Sequence, residues 1–186
     1  SEHKLTPVMC LETHAHADHL SGSQVIKRRY AGMKVVISKR ISEVQKIFSK
    51  LFNIDAACDG SQFDELFADW EEKTIAGLTV KNIPTPGHTP ACSSYLIEGS
   101  LFCGDTMFMP DYGVGRCDFP GGSAKALYSS ISKNLFTLPD DTPVYVGHDY
   151  QPGGRELMYQ TTIGQQKAEN IQLNAGLTES EFVVKR

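Results

Sequence analysis

Short apolar runs alternate with stretches of helical periodicity along the chain, separated by turn residues, and this predicts a mixed α/β fold. Pro7 to Glu12 reads as a buried strand that ends at the polar cluster Thr13 to His19. Ser21 to Ala31 predicts a helix stopped by Gly32, and Lys34 to Ile37 a second strand. Ile41, Val44, Ile47, Phe48 and Leu51 fall on one face at helical spacing, so residues 41–52 predict an amphipathic helix against the core. Residues 53–72 carry little pattern.

The middle of the chain predicts a strand meander. Thr79 to Ile83, Ser94 to Glu98 and Leu101 to Cys103 are short extended runs between Pro-Gly and Gly-Ser turns, which sets His88 and Asp105 at strand ends. Leu127, Ile131 and Leu135 share a helical face in Ala124 to Phe136, with Ser123 as the cap. Pro143 to Val146 is one more strand, ending at Gly147-His148-Asp149-Tyr150, and Thr178 to Glu181 fits a capping box for a last helix. Nothing marks a boundary, so residues 1–186 are expected to form one domain.

Composition narrows the classes. At 186 residues with 40% hydrophobic positions, folding should remove roughly 70% of the unfolded surface from water. No stretch approaches the ~20 apolar residues of a membrane-spanning helix. A formal net charge of −4, with only Lys27, Arg28 and Arg29 clustered, argues against a nucleic-acid binder. Cys10, Cys58, Cys92, Cys103 and Cys117 are odd in number and contain no CxxC pair, which suits reduced thiols in the cytoplasm. Cys10, Cys92 and Cys103 lie in apolar runs and read as small core residues.

Five of the six histidines lie at strand ends or turns. The densest group is His14-x-His16-x-Asp18-His19, four metal-ligand types within six residues on a turning backbone, and this density predicts metal binding. Further ligand types follow in Pro86-Gly87-His88-Thr89-Pro90, Gly104-Asp105-Thr106 and Gly147-His148-Asp149-Tyr150. In this order they resemble the metallo-β-lactamase superfamily, in which HxHxDH, a later His, a bridging Asp and a final His converge at the edge of an αββα sandwich.

Flanking residues sharpen the resemblance. Gly115-Arg116-Cys117-Asp118-Phe119 and His148-Asp149-Tyr150 resemble persulfide (sulfur) dioxygenases, whereas glyoxalase II usually has Glu where Asp149 stands. Glu12 to Leu20, Asp118 to Ala124 and Gly153-Gly154-Arg155-Glu156 look most like the bacterial β-lactamase-hydrolase-like branch. The resemblance implies one Fe(II) held by His14, His88 and Asp105, with open positions for O2 and for a persulfide such as glutathione persulfide. Sulfite and thiol are the implied products. His16, Asp18, His19 and His148 are then orienting partners or ligands of a second metal, and Tyr150 can hydrogen-bond Asp105. Arg116 and Arg155 are candidates for a substrate carboxylate, Arg116 having the alternative of pairing with Asp118 or Asp105. Cys117, beside a cation, is either a reactive thiol or a buried small residue.

Only 13 residues precede His14, so the expectation is a sandwich lacking its N-terminal strands. Two other readings stand beside the dioxygenase. One is a glyoxalase II-like hydrolase of thioesters with two metals, zinc among them; the other is an incomplete metal-binding domain without catalysis. A second copy of the chain is an allowed partner.

Overall fold

The computed structural model describes residues 5–186, and the side chains of residues 17–21 lie outside that description. Two sheets form. The first has the order β1 (Met9–Leu11), β2 (Lys34–Ser38) and β3 (Glu65–Phe67), all parallel. Parallel neighbours need long crossovers, supplied by α1 (Ala17–Arg29) and by the segment holding α2 (Ile41–Phe52). The second sheet runs β4 (Glu72–Ile75), β5 (Leu78–Pro84), β6 (Ser93–Ile97), β7 (Ser100–Phe102), β8 (Pro143–Tyr145) and β9 (Gln160–Thr162) in sequence order. It is antiparallel except at β7 and β8, which are joined by a crossover through α3 (Ala124–Ser129). Helices α4 (Ile163–Glu169) and α5 (Glu179–Lys185) complete the chain.

The period of two along each strand sorts side chains into three cores. Val36 and Phe67 of the first sheet meet Val80 and Tyr95 of the second in the layer between the sheets. Ile37, one residue on, points the other way onto Ile41 and Val44 of α2. Ile83, Leu101 and Val144 pack on the far face of the second sheet against Leu127, Ile131, Leu135, Ile163 and Phe182. Helix, sheet, sheet and helix thus form four layers, the expected αββα sandwich.

The expected helix over 124–136 is present with its predicted buried face, but it changes character. After α3 the segment Ser130–Leu135 widens into a π-helical turn. Ser123 caps α3 by accepting from the Ala126 amide, and Thr178 and Glu181 form the predicted capping box. The poorly patterned stretch contains β3 and the start of β4. β3 is only Glu65, Leu66 and Phe67, too short for alternation to register, and its neighbours are acidic. β9 is an edge strand of Gln and Thr, and α4 follows it without a gap; neither has an apolar signal.

Candidate metal centre

The histidines sit at the ends of strands from both sheets. β1 runs into Glu12, whose amide still bonds the Val36 carbonyl, and the Thr13 carbonyl accepts from Ser93, tying the turn to the second sheet. His14 follows with no exposed surface, its Nδ1 3.1 Å from the Thr13 hydroxyl, and His16 occupies the position just before α1. β5 ends at Pro84, and Thr85-Pro86-Gly87 then delivers His88. β7 ends in a 3-10 turn, Gly104–Thr106, carrying Asp105, and β8 ends before His148.

These ends converge. The ring pairs His14–His16, His14–His88 and His16–His88 lie edge-on with centroids 4.8, 5.0 and 4.7 Å apart. One nitrogen from each of the three falls within 4.8 Å of the others. Asp105 completes the cluster: Oδ2 is 3.9 Å from His14 Nε2 and 3.6 Å from His88 Nε2, while Oδ1 is 3.6 Å from His148 Nε2. His88 Nδ1 donates to the Arg116 carbonyl at 2.5 Å. A carbonyl can only accept, so a neutral His88 carries its proton on Nδ1 and turns the Nε2 lone pair into the cluster.

The donor set suits a divalent transition metal. His88 Nε2 and His16 Nδ1 are 3.1 Å apart, close to the roughly 3.3 Å between two nitrogens bound tetrahedrally to one ion at ~2.0–2.1 Å. Three imidazoles and a carboxylate are borderline nitrogen and oxygen ligands that accept iron or zinc. His16 thus stands inside the group formed by the expected ligands His14, His88 and Asp105. Asp18 and His19 have side chains outside the described residues.

Glycines make the close approach achievable. A side-chain carbon at Gly104 would lie 2.4 Å from Thr13 Oγ1, one at Gly115 1.8 Å from the Asp105 carbonyl oxygen, and one at Gly147 2.8 Å from Asp105 Oδ1. Gly115 and Gly147 thus bring backbone directly against Asp105, and Gly104 lets the turn that carries it close onto Thr13.

The cluster opens into a cavity of about 410 Å³ lined by His16, His88, Asp105, Arg116, Phe119 and an aromatic group. That group is Phe108, Tyr112 and Tyr150, with Tyr112 and Tyr150 stacked at 4.4 Å. Phe108 and Tyr112 escaped the sequence reading because Met107-Phe108-Met109 looks like a core run. Their one signal was proximity to Asp105.

The substrate-binding candidates divide. Arg116 takes the pairing alternative: Nε and Nη2 each reach Asp118 at 2.7 Å, and the guanidinium lies 4.4 Å from the Phe119 ring centroid at the cavity wall. That hydrogen bonding holds the Asp118 carboxyl down at about 2. Cys117 is half-buried against the helical core of the second sheet. Arg155 is engaged by Asp111 and Asp149 through charge-assisted bonds, so its guanidinium is already committed within the protein. Tyr150 has its ring half exposed, 5.6 Å from that of His148.

The metallo-beta-lactamase superfamily profile matches residues 11–148, most of the chain. The chain belongs to the metallo-β-lactamase superfamily. It is 48% identical over 188 residues to "Glyoxylase B2" of Dictyostelium discoideum, covering 100% of this chain and 64% of that protein. A "Beta-lactamase hydrolase-like protein" of Agrobacterium fabrum is 43% identical over 182 residues, 97% of this chain and 42% of its own length. "Persulfide dioxygenase ETHE1, mitochondrial" of Homo sapiens is 32% identical over 142 residues, 75% and 48% respectively. The solved structure of ETHE1 from Myxococcus xanthus superimposes with a TM-score of 0.77 at 34% identity, covering 98% of this chain and 69% of that one. The chain thus spans less than two thirds of these curated relatives. The expected family, its β-lactamase-hydrolase-like and persulfide-dioxygenase relatives and the fold are all found. The relatives carry both oxidoreductase and hydrolase names.

Proposed function

We propose that this superfamily member is an Fe(II)-dependent persulfide dioxygenase. The reaction consumes a thiol persulfide such as glutathione persulfide, O2 and water and yields the thiol, sulfite and two protons, a step of sulfide detoxification. The observation that carries the reading is Asp105 Oδ2, which faces His14 and His88 together at 3.9 and 3.6 Å. Two imidazoles and one carboxylate form the ligand set of non-haem iron oxygenases, and His16, whose Nδ1 is 3.1 Å from His88 Nε2, would stand beside that set as an orienting partner. When bound, Fe(II) would supply the redox capacity for O2 chemistry.

The chain's own groups then have defined tasks. His14 and His88 bind as neutral imidazoles, His88 held in that tautomer by the Arg116 carbonyl. Asp105 offsets part of the ion's charge. Phe108, Phe119 and the stacked tyrosines form apolar walls that limit water around the sulfur. Arg116, at the cavity wall, is positioned to receive a substrate carboxylate in exchange for Asp118. Five free cysteines suit a reducing cytoplasm. Among the described residues no helix is long and apolar enough to cross a membrane.

A second reading has its own observation. Asp105 Oδ1 lies 3.6 Å from His148 Nε2 while Oδ2 faces His14 and His88, so Asp105 and His148 would help hold a second ion, which would supply the activated water of a binuclear thioester hydrolase. Oxygen-electrode measurements with glutathione persulfide, run beside thioester hydrolysis on iron-loaded protein, separate the two. Oxygen uptake with sulfite release and no hydrolysis is the expected result. Hydrolysis without oxygen uptake would transfer the assignment to the second reading, and silence in both would leave a metal-binding domain without catalysis.

A further inference from the structure

Arg155 joins two segments that are far apart in sequence. Its Nε and Nη2 donate to Asp111 at 2.5 and 2.9 Å, and its Nη1 and Nη2 donate to Asp149 at 2.6 and 2.7 Å. Asp149 has a side chain only 2% exposed and also accepts from the amides of Met158 and Gln151, at 2.7 and 3.3 Å. The residue after Asp111 is Tyr112, and the residue after Asp149 is Tyr150. These two rings stack at 4.4 Å with 25° between their planes, and Phe108 meets both edge-on at 5.7 and 5.5 Å.

Within the loop, the Gly154 amide donates to the Gln151 carbonyl at 2.9 Å and the Gln151 side chain to the Arg155 carbonyl at 3.1 Å, but the bonds that tie it to the Asp111 segment come from Arg155. Gln151, Gly153 and Gly154 all have positive φ, at 48°, 69° and 76°, a local path that the chain does not favour at Gln151. A guanidinium fork gripping two carboxylates supplies both energy and direction.

We propose that Arg155 is a positioning residue: by clasping Asp111 to Asp149 it holds Tyr112 against Tyr150 as a fixed aromatic face, on which the organic part of the substrate packs. This rests on the cavity being the persulfide site proposed above. It also assigns Arg155 a role other than capture of a substrate carboxylate, since both faces of its fork are already used.

The test is a comparison of kcat and KM, with a spectroscopic readout. Arg155→Ala should raise KM for glutathione persulfide about tenfold, as loss of one well-made binding face would, with kcat and bound iron close to wild type. Tyr112→Leu should do the same, and the double variant should be no worse than either alone, because both remove one unit. Arg155→Lys, which keeps charge but not the fork, should recover part of the loss. The penalty should persist with a carboxylate-free alkyl persulfide. If it disappears there, Arg155 binds substrate directly and the proposal falls; multiplicative effects in the double variant would also overturn it.

Near-ultraviolet circular dichroism separates this idea from the dioxygenase reading. Arg155→Ala should remove the same tyrosine signal that Tyr112→Leu removes, whether or not any turnover is seen. An unchanged spectrum would refute the clasp. Asp111→Asn, at a half-exposed position that leaves Asp149 paired, should shift KM and spectrum in the same direction to a smaller extent if the clasp operates, and no shift in either counts against it.

Discussion

His88 and Arg116 are joined through the backbone: His88 Nδ1 donates to the Arg116 carbonyl at 2.5 Å, while the Arg116 side chain turns away to Asp118. The Gly115–Phe119 loop therefore orients a metal-cluster imidazole by a main-chain group, while the guanidinium, paired with Asp118, stands at the cavity wall. Backbone and side-chain functions separate on substitution. Arg116→Ala should keep wild-type metal content and unfolding midpoint, because it removes only an exposed ion pair, and should act on substrate affinity. Gly115→Ala should lose metal, since its new carbon would lie 1.8 Å from the Asp105 carbonyl oxygen. Metal analysis of the two purified variants checks this; equal metal retention would refute it.

Metal stoichiometry distinguishes the two ways of using Asp105. With one ion held by His14, His88 and Asp105, His14→Ala should empty the site, whereas His148→Ala should leave about one equivalent bound, as His148 faces only the other carboxylate oxygen at 3.6 Å. His19→Ala should likewise leave some metal. Wild-type protein with two equivalents, falling to one in His148→Ala, would favour the binuclear hydrolase.

The site was legible in sequence because its chemistry is local. His14 follows a strand inside a dense run of His and Asp, and His88, Asp105 and His148 each follow a strand and a Gly, so type and place were readable together. What was not legible depends on contacts between distant segments. Arg155 looks like a loop cation until Asp111, 44 residues away, is seen against it. Phe108 and Tyr112 look like core until the turn after β7 exposes them to the cavity. The same holds for the fold: α2 announces itself by its apolar stripe, while β3 and β9 owe their extension to the strands beside them.

Thiol reactivity should sort the five cysteines. Burial pushes the Cys92 thiol up to about 12, and burial with the Glu12 charge pushes Cys10 up to about 11. At pH 8 a thiol at about 11 is ionised to only about one part in a thousand, and thiolate is the reactive form. Cys103 is fully buried, while Cys58 and Cys117 are half-buried. Maleimide at pH 8 should modify Cys58 and Cys117 quickly and the other three only in denaturant. The sign for stability follows: Cys10 and Cys92 favour the folded state below 9.0, their ordinary value, and this contribution fades as pH rises towards 11 and 12. Rapid labelling of Cys92 in native protein would contradict the packing.

The approach of Gly87 to Leu127 should make the metal cluster depend on α3. Gly87 has φ 148°, and a side-chain carbon there would lie 2.4 Å from the Leu127 α-carbon, a backbone atom that cannot swing aside. The Gly87 carbonyl accepts from the Ser123 amide, so the start of α3 is pinned to the residue before His88. Leu127 is fully buried among Ile83, Leu101, Ile131 and Leu135. Leu127→Ala should cost about 2–5 kcal/mol through lost contacts and a cavity, lowering Tm by roughly 4–20 °C for a chain of this size. Its Cα stays in place, so His88 keeps its position and the folded variant should bind metal normally. Gly87→Ala forces the strand end and helix apart and should lose metal as well as stability. Thermal melts with metal analysis distinguish the two, and normal metal binding by Gly87→Ala would show that His88 is held by the Arg116 carbonyl alone.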